Sequence, residues 1–313
     1  MIHEKIMMWE GRDDVTLTTY VLDDSPEMLN GKKRPAVIVC PGGAYLSCSD
    51  REGEPVALRF MAMGYHAFVL RYSVYSENKG GMMFGGPQNP EAKPWLCHPA
   101  PMRDIARAML ELRAHADEWL IDMDRVAICG FSAGAHNCAM YSVYWDKPVM
   151  SEPFGVDNAL LRPAACILGY TLSDYVFMSS SQSGMDERAR GLFDMSLFAF
   201  VGDKEPGDEK LIELSPERHV SKSTPPTFLW STSEDELVPV QHSTMMATAL
   251  ANAGVPFELH VFEEGSHGLS LADQSTAMTT GQLNADAAKW IPLCEAWLGK
   301  RFKLDLPDKK GWN

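Results

Sequence analysis

The chain has 313 residues, 45% of them hydrophobic and 22% charged, with a formal net charge of −14. That length and composition fit one large α/β domain running over residues 1–313. The acidic balance argues against a nucleic-acid partner or an anionic membrane surface, because no basic surplus exists to neutralise phosphates.

The N-terminal stretch "MIHEKIMMWEGRDD" lacks the sustained apolar core and cleavage site of a leader. No segment approaches the length of a membrane span, so a soluble, cytoplasmic protein is expected. "VTLTTYVL", Val15 to Leu22, alternates and predicts a strand. "RPAVIVCPGG" is an apolar run ending in Pro-Gly-Gly, a buried strand entering a tight loop. "EPVALRFMAMG" is helical up to Gly64, and "YHAFVLRYSV" is a second buried strand. Ile105, Met109, Leu112, Ala116 and Trp119 form a helical stripe. The strand "RVAICG" and the helix-compatible "AGAHNCAMYSVYW" follow. "PAACILGY" and "PPTFLWST" predict strands, and Val240 to Ala253 a helix closed by Gly254. "PFELHVFE" predicts a further strand and "AAKWIPLCEAWLGKRF" a last helix. Strands with continuous apolar runs alternating with helices predict an α/β fold with a mostly parallel sheet covered on both faces.

Two segments break this rhythm. Ser76 to Pro101 is rich in Gly, Pro and Met, and Thr171 to Thr224 holds Ser/Gly-rich and acidic stretches. Both leave the carboxyl end of a strand, where α/β sheets bind ligands. They read as the rim and small cap of a site, with plain surface excursions as the alternative.

Seven cysteines cannot all pair. Cys40, Cys129 and Cys166 sit in apolar runs and read as buried core residues of a reducing compartment. No C-x-x-C pair suggests a metal or redox site, and His3, His66, His115, His219, His242 and His260 give no sign of a metal cluster, so no metal and no cofactor is expected.

The chemistry concentrates in "ICGFSAGAHN". Glycines at both ±2 positions let Ser132 stand at a sharp strand-to-helix turn, with the next amide, that of Ala133, pointing at the same spot. His136 would lie one turn inside the following helix, diverging from Ser132, and reads as a packing histidine. The better base is His267, in the Gly-flanked loop "FEEGSHGLSL" after a strand. The acid should come from "STSEDELVP", where Asp235 is chosen and Glu234 and Glu236 read as solvated neighbours. The order Ser132, Asp235, His267 is that of α/β-hydrolases. "CPGGAY" follows an early strand, and Gly42 and Gly43 would let its backbone approach a substrate and supply an oxyanion amide. Tyr45 and Trp95 could stack on a sugar ring or belong to the core, and His98 in "CHPAP" could line the pocket or serve structure. His66 and His260, inside strands, read as buried and neutral.

With these residues in view, the chain resembles the α/β-hydrolase esterases grouped with acetyl xylan and feruloyl esterases, the BD-FAE-like family. The matching stretches include "PGGAYLSCSDREGEPVALRFMAMGYHAFVLRYSV", "RVAICGFSAGAH" and "GVPFELHVFEEGSHGLSL", within Pro35 to Leu271. The resemblance implies an α/β-hydrolase fold, a triad of Ser132, Asp235 and His267, and an oxyanion hole from Gly43, Ala44 and Ala133. It also implies a serine carboxylesterase that removes short acyl groups, acetyl first, from xylan-type oligosaccharides. Many such esterases carry His-Gly-Gly-Gly at the oxyanion loop, whereas here Pro41 and Ala44 replace the first and last of these. The Met-rich loop, with Met82, Met83 and Phe84, and the Ser179 to Glu209 insertion match nothing in that pattern and are where specificity would be set. Feruloyl or general short-chain ester cleavage remains open. So do a peptidase of the same fold and a non-catalytic hydrolase-fold binding protein. A homo-oligomer is compatible with the sequence.

Overall fold

The computed structural model describes residues 1–79, 89–181 and 186–306. The Met-rich stretch with Met82, Met83 and Phe84 lies outside the described residues. The strands in chain order are β1 (Lys5–Trp9), β2 (Arg12–Tyr20), β3 (Arg34–Cys40), β4 (His66–Arg71), β5 (Ile121–Phe131), β6 (Ala165–Gly169), β7 (Thr227–Thr232) and β8 (Phe257–Phe262). The helices are α1 (Glu54–Ala62), α2 (Ala100–Ala114), α3 (Ala133–Tyr144), α4 (Pro148–Ser151), α5 (Tyr175–Ser181), α6 (Glu187–Val201), α7 (Asp208–Glu213), α8 (Gln241–Ala253) and α9 (Trp290–Gly299). The strands form one eight-stranded sheet in the order β1-β2-β4-β3-β5-β6-β7-β8. The β1–β2 and β2–β4 pairs are antiparallel and every later pair is parallel, which is an α/β-hydrolase arrangement.

Alternation along the central strands explains why they read as continuous apolar runs. In β3, Ala36, Ile38 and Cys40 enter the core on one face, while Val37 and Val39 enter the core on the other. The first face is covered by α2 and α3 through Met102, Ile105, Met109 and Cys138, and by α8 through Met246 and Leu250. The second is covered by α1 and α9 through Val56, Phe60, Trp290 and Trp297. Each large side chain so buried contributes about 1.5–3 kcal/mol of transfer free energy. Cys40, Cys129 and Cys166 are buried within these layers as free thiols.

Several elements differ from the sequence expectation. The first expected strand runs earlier, Arg12–Tyr20, and pairs with β1, a short apolar run without alternation in which only Met8 is buried. β8 is an edge strand with only β7 beside it, so His260 is half-exposed and bonds Glu258 at 2.9 Å instead of being buried. His66 is buried, and desolvation pushes its pKa down to about 4. The last helix begins at Trp290 because Pro292, lacking an N–H, fits only in a first turn. The segment from Thr171 to Thr224 is built from α5, α6 and α7. Helix α6 is capped by Asp186, which accepts from the Ala189 amide, and closed by Gly202 at φ 81°. These helices lie between β6 and β7, beyond the carboxyl end of the sheet.

The chain crosses itself most tightly where β5 turns into α3. A Cβ on Gly134 would lie 2.1 Å from the Cys40 carbonyl oxygen, and one on Gly130 would lie 2.3 Å from the Gly134 oxygen. Gly191, in α6, has nothing within 4 Å of such an atom. The same substitution should therefore have opposite signs at the two sites. Gly134→Ala is expected to destabilise by about 1–3 kcal/mol or more, while Gly191→Ala should stabilise by about 0.5–1 kcal/mol. Denaturant unfolding of both variants checks this.

Candidate active site

Ser132 stands between the last residue of β5 and the first of α3 with φ 51° and ψ −121°, a conformation costly for a residue with a Cβ. Its amide donates to the Gly169 carbonyl at 3.0 Å, and its carbonyl accepts the first helical bond from His136 at 2.9 Å. The flanking glycines leave room for the crossing chains. Gly42 completes the fit, because a Cβ there would lie 2.9 Å from the Ser132 Cβ.

His267 approaches from the loop after β8. Its Nε2 lies 2.8 Å from Ser132 Oγ and its Nδ1 lies 2.7 Å from Asp235 Oδ2. A carboxylate only accepts, so Nδ1 carries the proton and Nε2 accepts from the serine hydroxyl. Asp235 is buried, and its Oδ1 accepts from the amides of Leu237 at 3.0 Å and Val238 at 2.8 Å, which fixes the carboxylate plane. Glu234 and Glu236 beside it are exposed. Burial of His267 opposes its protonation, but the Asp235 charge, its hydrogen bond and the charge of Glu52 outweigh that, so the imidazole lies above its ordinary value. Such a chain lets an imidazole take a hydroxyl proton while a fixed carboxylate stabilises the cation formed.

The loop after β3 faces the same serine. Gly43, Ala44 and Tyr45 all have positive φ, 132°, 56° and 56°. Ala44, Ala133 and Ser132 line one narrow cavity of about 50 Å³. The Ala133 amide belongs to the first turn of α3 and needs no intrahelical acceptor. The Gly42 amide is already given to Glu52 Oε2 at 2.7 Å. The cavity walls come largely from the cap, through Leu172, Tyr175, Met178, Leu192 and Phe193, and from Leu237 and Val238 after β7.

The three expected substrate contacts separate. Tyr45 lines the cavity, but its ring stacks on Phe200 at 4.1 Å and its hydroxyl donates to His136 Nδ1 at 2.7 Å. Trp95 is 57% exposed and is not among the cavity-lining residues. His98 also lies off the cavity; its ring is buried edge-on to Phe200 and its Nε2 bonds Glu213 at 3.0 Å, tethering the rim to the cap. His136 lies on the cavity floor, away from the Ser132–His267 bond. It bonds Tyr45 and the Leu214 carbonyl, and burial pushes its pKa down to about 3. Sequence reasoning missed Glu52 and Tyr170, both buried beneath the loop, because no local pattern announces that a charged side chain will turn inward. Among the described residues, no group of three or more His, Cys, Asp or Glu is arranged as metal ligands, and no helix is long and apolar enough to cross a membrane.

A family model described as BD-FAE matches residues 93–250. The chain is 33% identical over 241 residues to an endo-1,4-beta-xylanase B of Butyrivibrio fibrisolvens, covering 77% of this chain and 33% of that protein. It spans a third to a half of the length of the curated relatives it matches. The crystal structure of an acetyl ester-xyloside bifunctional hydrolase from Caldicellulosiruptor lactoaceticus superposes with a TM-score of 0.71 at 30% identity, covering 95% of this chain and 96% of that one. A carboxylesterase from Lactobacillus plantarum superposes with a TM-score of 0.76 at 27% identity, covering 98% and 100%. The matched segment contains the β5–α3 turn with Ser132 and the loop with Asp235, and the chain belongs to the BD-FAE family of α/β hydrolases.

Proposed function

We propose that the protein is a serine carboxylesterase that removes short acyl groups, acetyl above all, from carbohydrates such as xylo-oligosaccharides. One observation carries the reading: the Asp235–His267–Ser132 hydrogen-bonded chain ends at the mouth of a narrow, largely apolar cavity. Ser132 Oγ attacks the ester carbonyl carbon as His267 Nε2 takes its proton. The carbonyl oxygen becomes an oxyanion beside the amides of Ala133 and the Gly43–Ala44 loop. His267 returns the proton to the departing alcohol as the C–O bond breaks, leaving an acyl-serine. A water then repeats the sequence and releases the carboxylic acid. Asp235 keeps the imidazole in the tautomer that faces the serine.

The carbohydrate part of the reading is supported by the relatives, which include an acetylxylan esterase of Xylanibacter ruminicola and the acetyl ester-xyloside hydrolase. The acyl part is supported by the cavity, which at about 50 Å³ between Tyr45, Tyr175 and Phe193 suits an acetyl methyl better than a long chain.

Ser132→Ala and His267→Ala are expected to lower kcat/KM by about 10³-fold or more, while His136→Ala, which leaves the chain to Ser132 intact, should lose less than about tenfold. A fluorophosphonate probe should label Ser132; labelling elsewhere would remove the assignment. The base works only as neutral imidazole, and its proton affinity is raised. Activity should therefore increase with pH through a midpoint above the ordinary histidine value of about 6.5. A midpoint well below that value would contradict the electrostatics described. On p-nitrophenyl esters from two to eight carbons, acetate should be preferred clearly over octanoate, each misplaced methylene being worth about 1–3 kcal/mol. Acetate should also be released from acetylated xylo-oligosaccharides. Preference for octanoate with no acetate release from sugar would rule out the carbohydrate reading.

A further inference from the structure

Glu52 is a carboxylate only 4% exposed, in a 3-10 turn between the oxyanion loop and α1. Charged side chains are seldom buried unless they are paired. Its partners are all donors on the loops that make the active site. Oε2 accepts from the Gly42 amide at 2.7 Å, and Oε1 accepts from the Tyr170 hydroxyl at 2.6 Å. The Tyr170 oxygen in turn accepts from the Ser270 amide at 3.0 Å, three residues beyond His267. The Tyr170 ring stands edge-on to the His267 imidazole, with centroids 5.0 Å apart.

The residue before Glu52 reinforces the same contact. The Arg51 carbonyl accepts from Ser270 Oγ at 2.8 Å, and its guanidinium donates to the Gly268 carbonyl at 3.0 Å and to that of Thr276. One short turn therefore grips both the loop that carries the oxyanion amides and the loop that carries the base.

We infer that Glu52 is a positioning residue, its carboxylate tying Gly42 of the oxyanion loop through Tyr170 to Ser270 of the His267 loop, so that oxyanion donors and base are held in one register. This rests on the reading of Ser132 as nucleophile. The direction of the chain is fixed: two donors meet one acceptor group, and Tyr170 spends its only proton on Glu52. A glutamine at this position must aim its amino group at one of those donors, although its shape is nearly the same. A group that merely filled space would tolerate that exchange.

The test compares Glu52→Gln with the unaltered protein, each normalised by fluorophosphonate titration of its reactive serine. The expected result is a fall in kcat of about 10- to 100-fold, below the cost of deleting an oxyanion donor, with KM changed little. Affinity for a trifluoromethyl ketone, which forms the oxyanion, should weaken by the same factor as kcat/KM. The acid limb of the pH profile should move to lower pH, because one of the carboxylates facing His267 is gone while Asp235 and the uncharged Ser132 and Tyr170 remain. Unchanged kcat per titrated site and unchanged ketone affinity would overturn the inference. If Glu52→Gln does not fold, Tyr170→Phe carries the same comparison, since it removes only the hydroxyl that links the two loops; loss of kcat at constant KM supports the inference and wild-type kcat overturns it. Ser132→Ala separates the two levels. If it stays active, the reading of the whole site falls; if it is inactive while Glu52→Gln and Tyr170→Phe behave as wild type, only the role of Glu52 falls.

Discussion

The site depends on holding a serine where a serine does not rest by itself. At φ 51° and ψ −121°, Ser132 sits outside the regions comfortable for a residue with a Cβ, a strain of about 1–3 kcal/mol. The surroundings enforce it. The amide is pinned to the end of β6, the carbonyl starts α3, and the backbone of the β3 loop passes within contact distance of the turn. Glycine at positions 42, 130 and 134 is the condition for that crossing, since each added methyl would overlap a backbone atom. The sheet around the turn, buried on both faces, is stiff enough to keep the strain from relaxing.

Two histidines lie near Ser132, and their environments drive them in opposite directions. His136 is buried, and His267 is largely so, with 14% of its side chain exposed. His267 faces Asp235 and Glu52, and its proton affinity rises despite burial. His136 has no carboxylate partner, and burial wins. In the proposed mechanism the first imidazole takes and returns a proton, while the other is a neutral spacer with its nitrogens committed to Tyr45 and Leu214. Separation in sequence is thus a poor guide to partnership. The histidine four residues from the serine is directed into the cap, and the one 135 residues away is bonded to it.

What the sequence made legible follows from where burial is complete. Strand β3 after Arg34, the second half of β5 from Val126 to Phe131, and β7 are buried throughout, so these stretches are apolar or small and the runs stand out. The G-x-S-x-G turn, the Gly-flanked loop with His267 and the acidic loop with Asp235 are local patterns, and each locates its residue without tertiary information. β1 was not legible, because its short run Ile6–Trp9 is apolar at every position and shows no strand alternation. Helix α6 carried readable signals, Asp186 before it and Gly202 after it, but the Ser/Gly-rich stretch ahead of it hid the helices inside an insertion that read only as a small cap. Glu52 and Tyr170 had no local signal. Their burial is decided by three loops that meet only in the folded chain. His98 had the right neighbourhood and the wrong depth, spending its hydrogen bond on Glu213 of the cap.

The committed nitrogens of His136 also bear on how such a site would empty. An ester has no formal charge, whereas the acid released from it is already ionised at neutral pH. A cavity floor with a free cation or an idle donor would grip that carboxylate and slow each cycle. Here the imidazole donates to the Leu214 carbonyl and accepts from Tyr45, and burial holds its pKa well below the ordinary histidine value. In the proposed reaction this side of the cavity is therefore indifferent to the charge that distinguishes product from substrate, and His136 offers a departing acid no charge to hold it back.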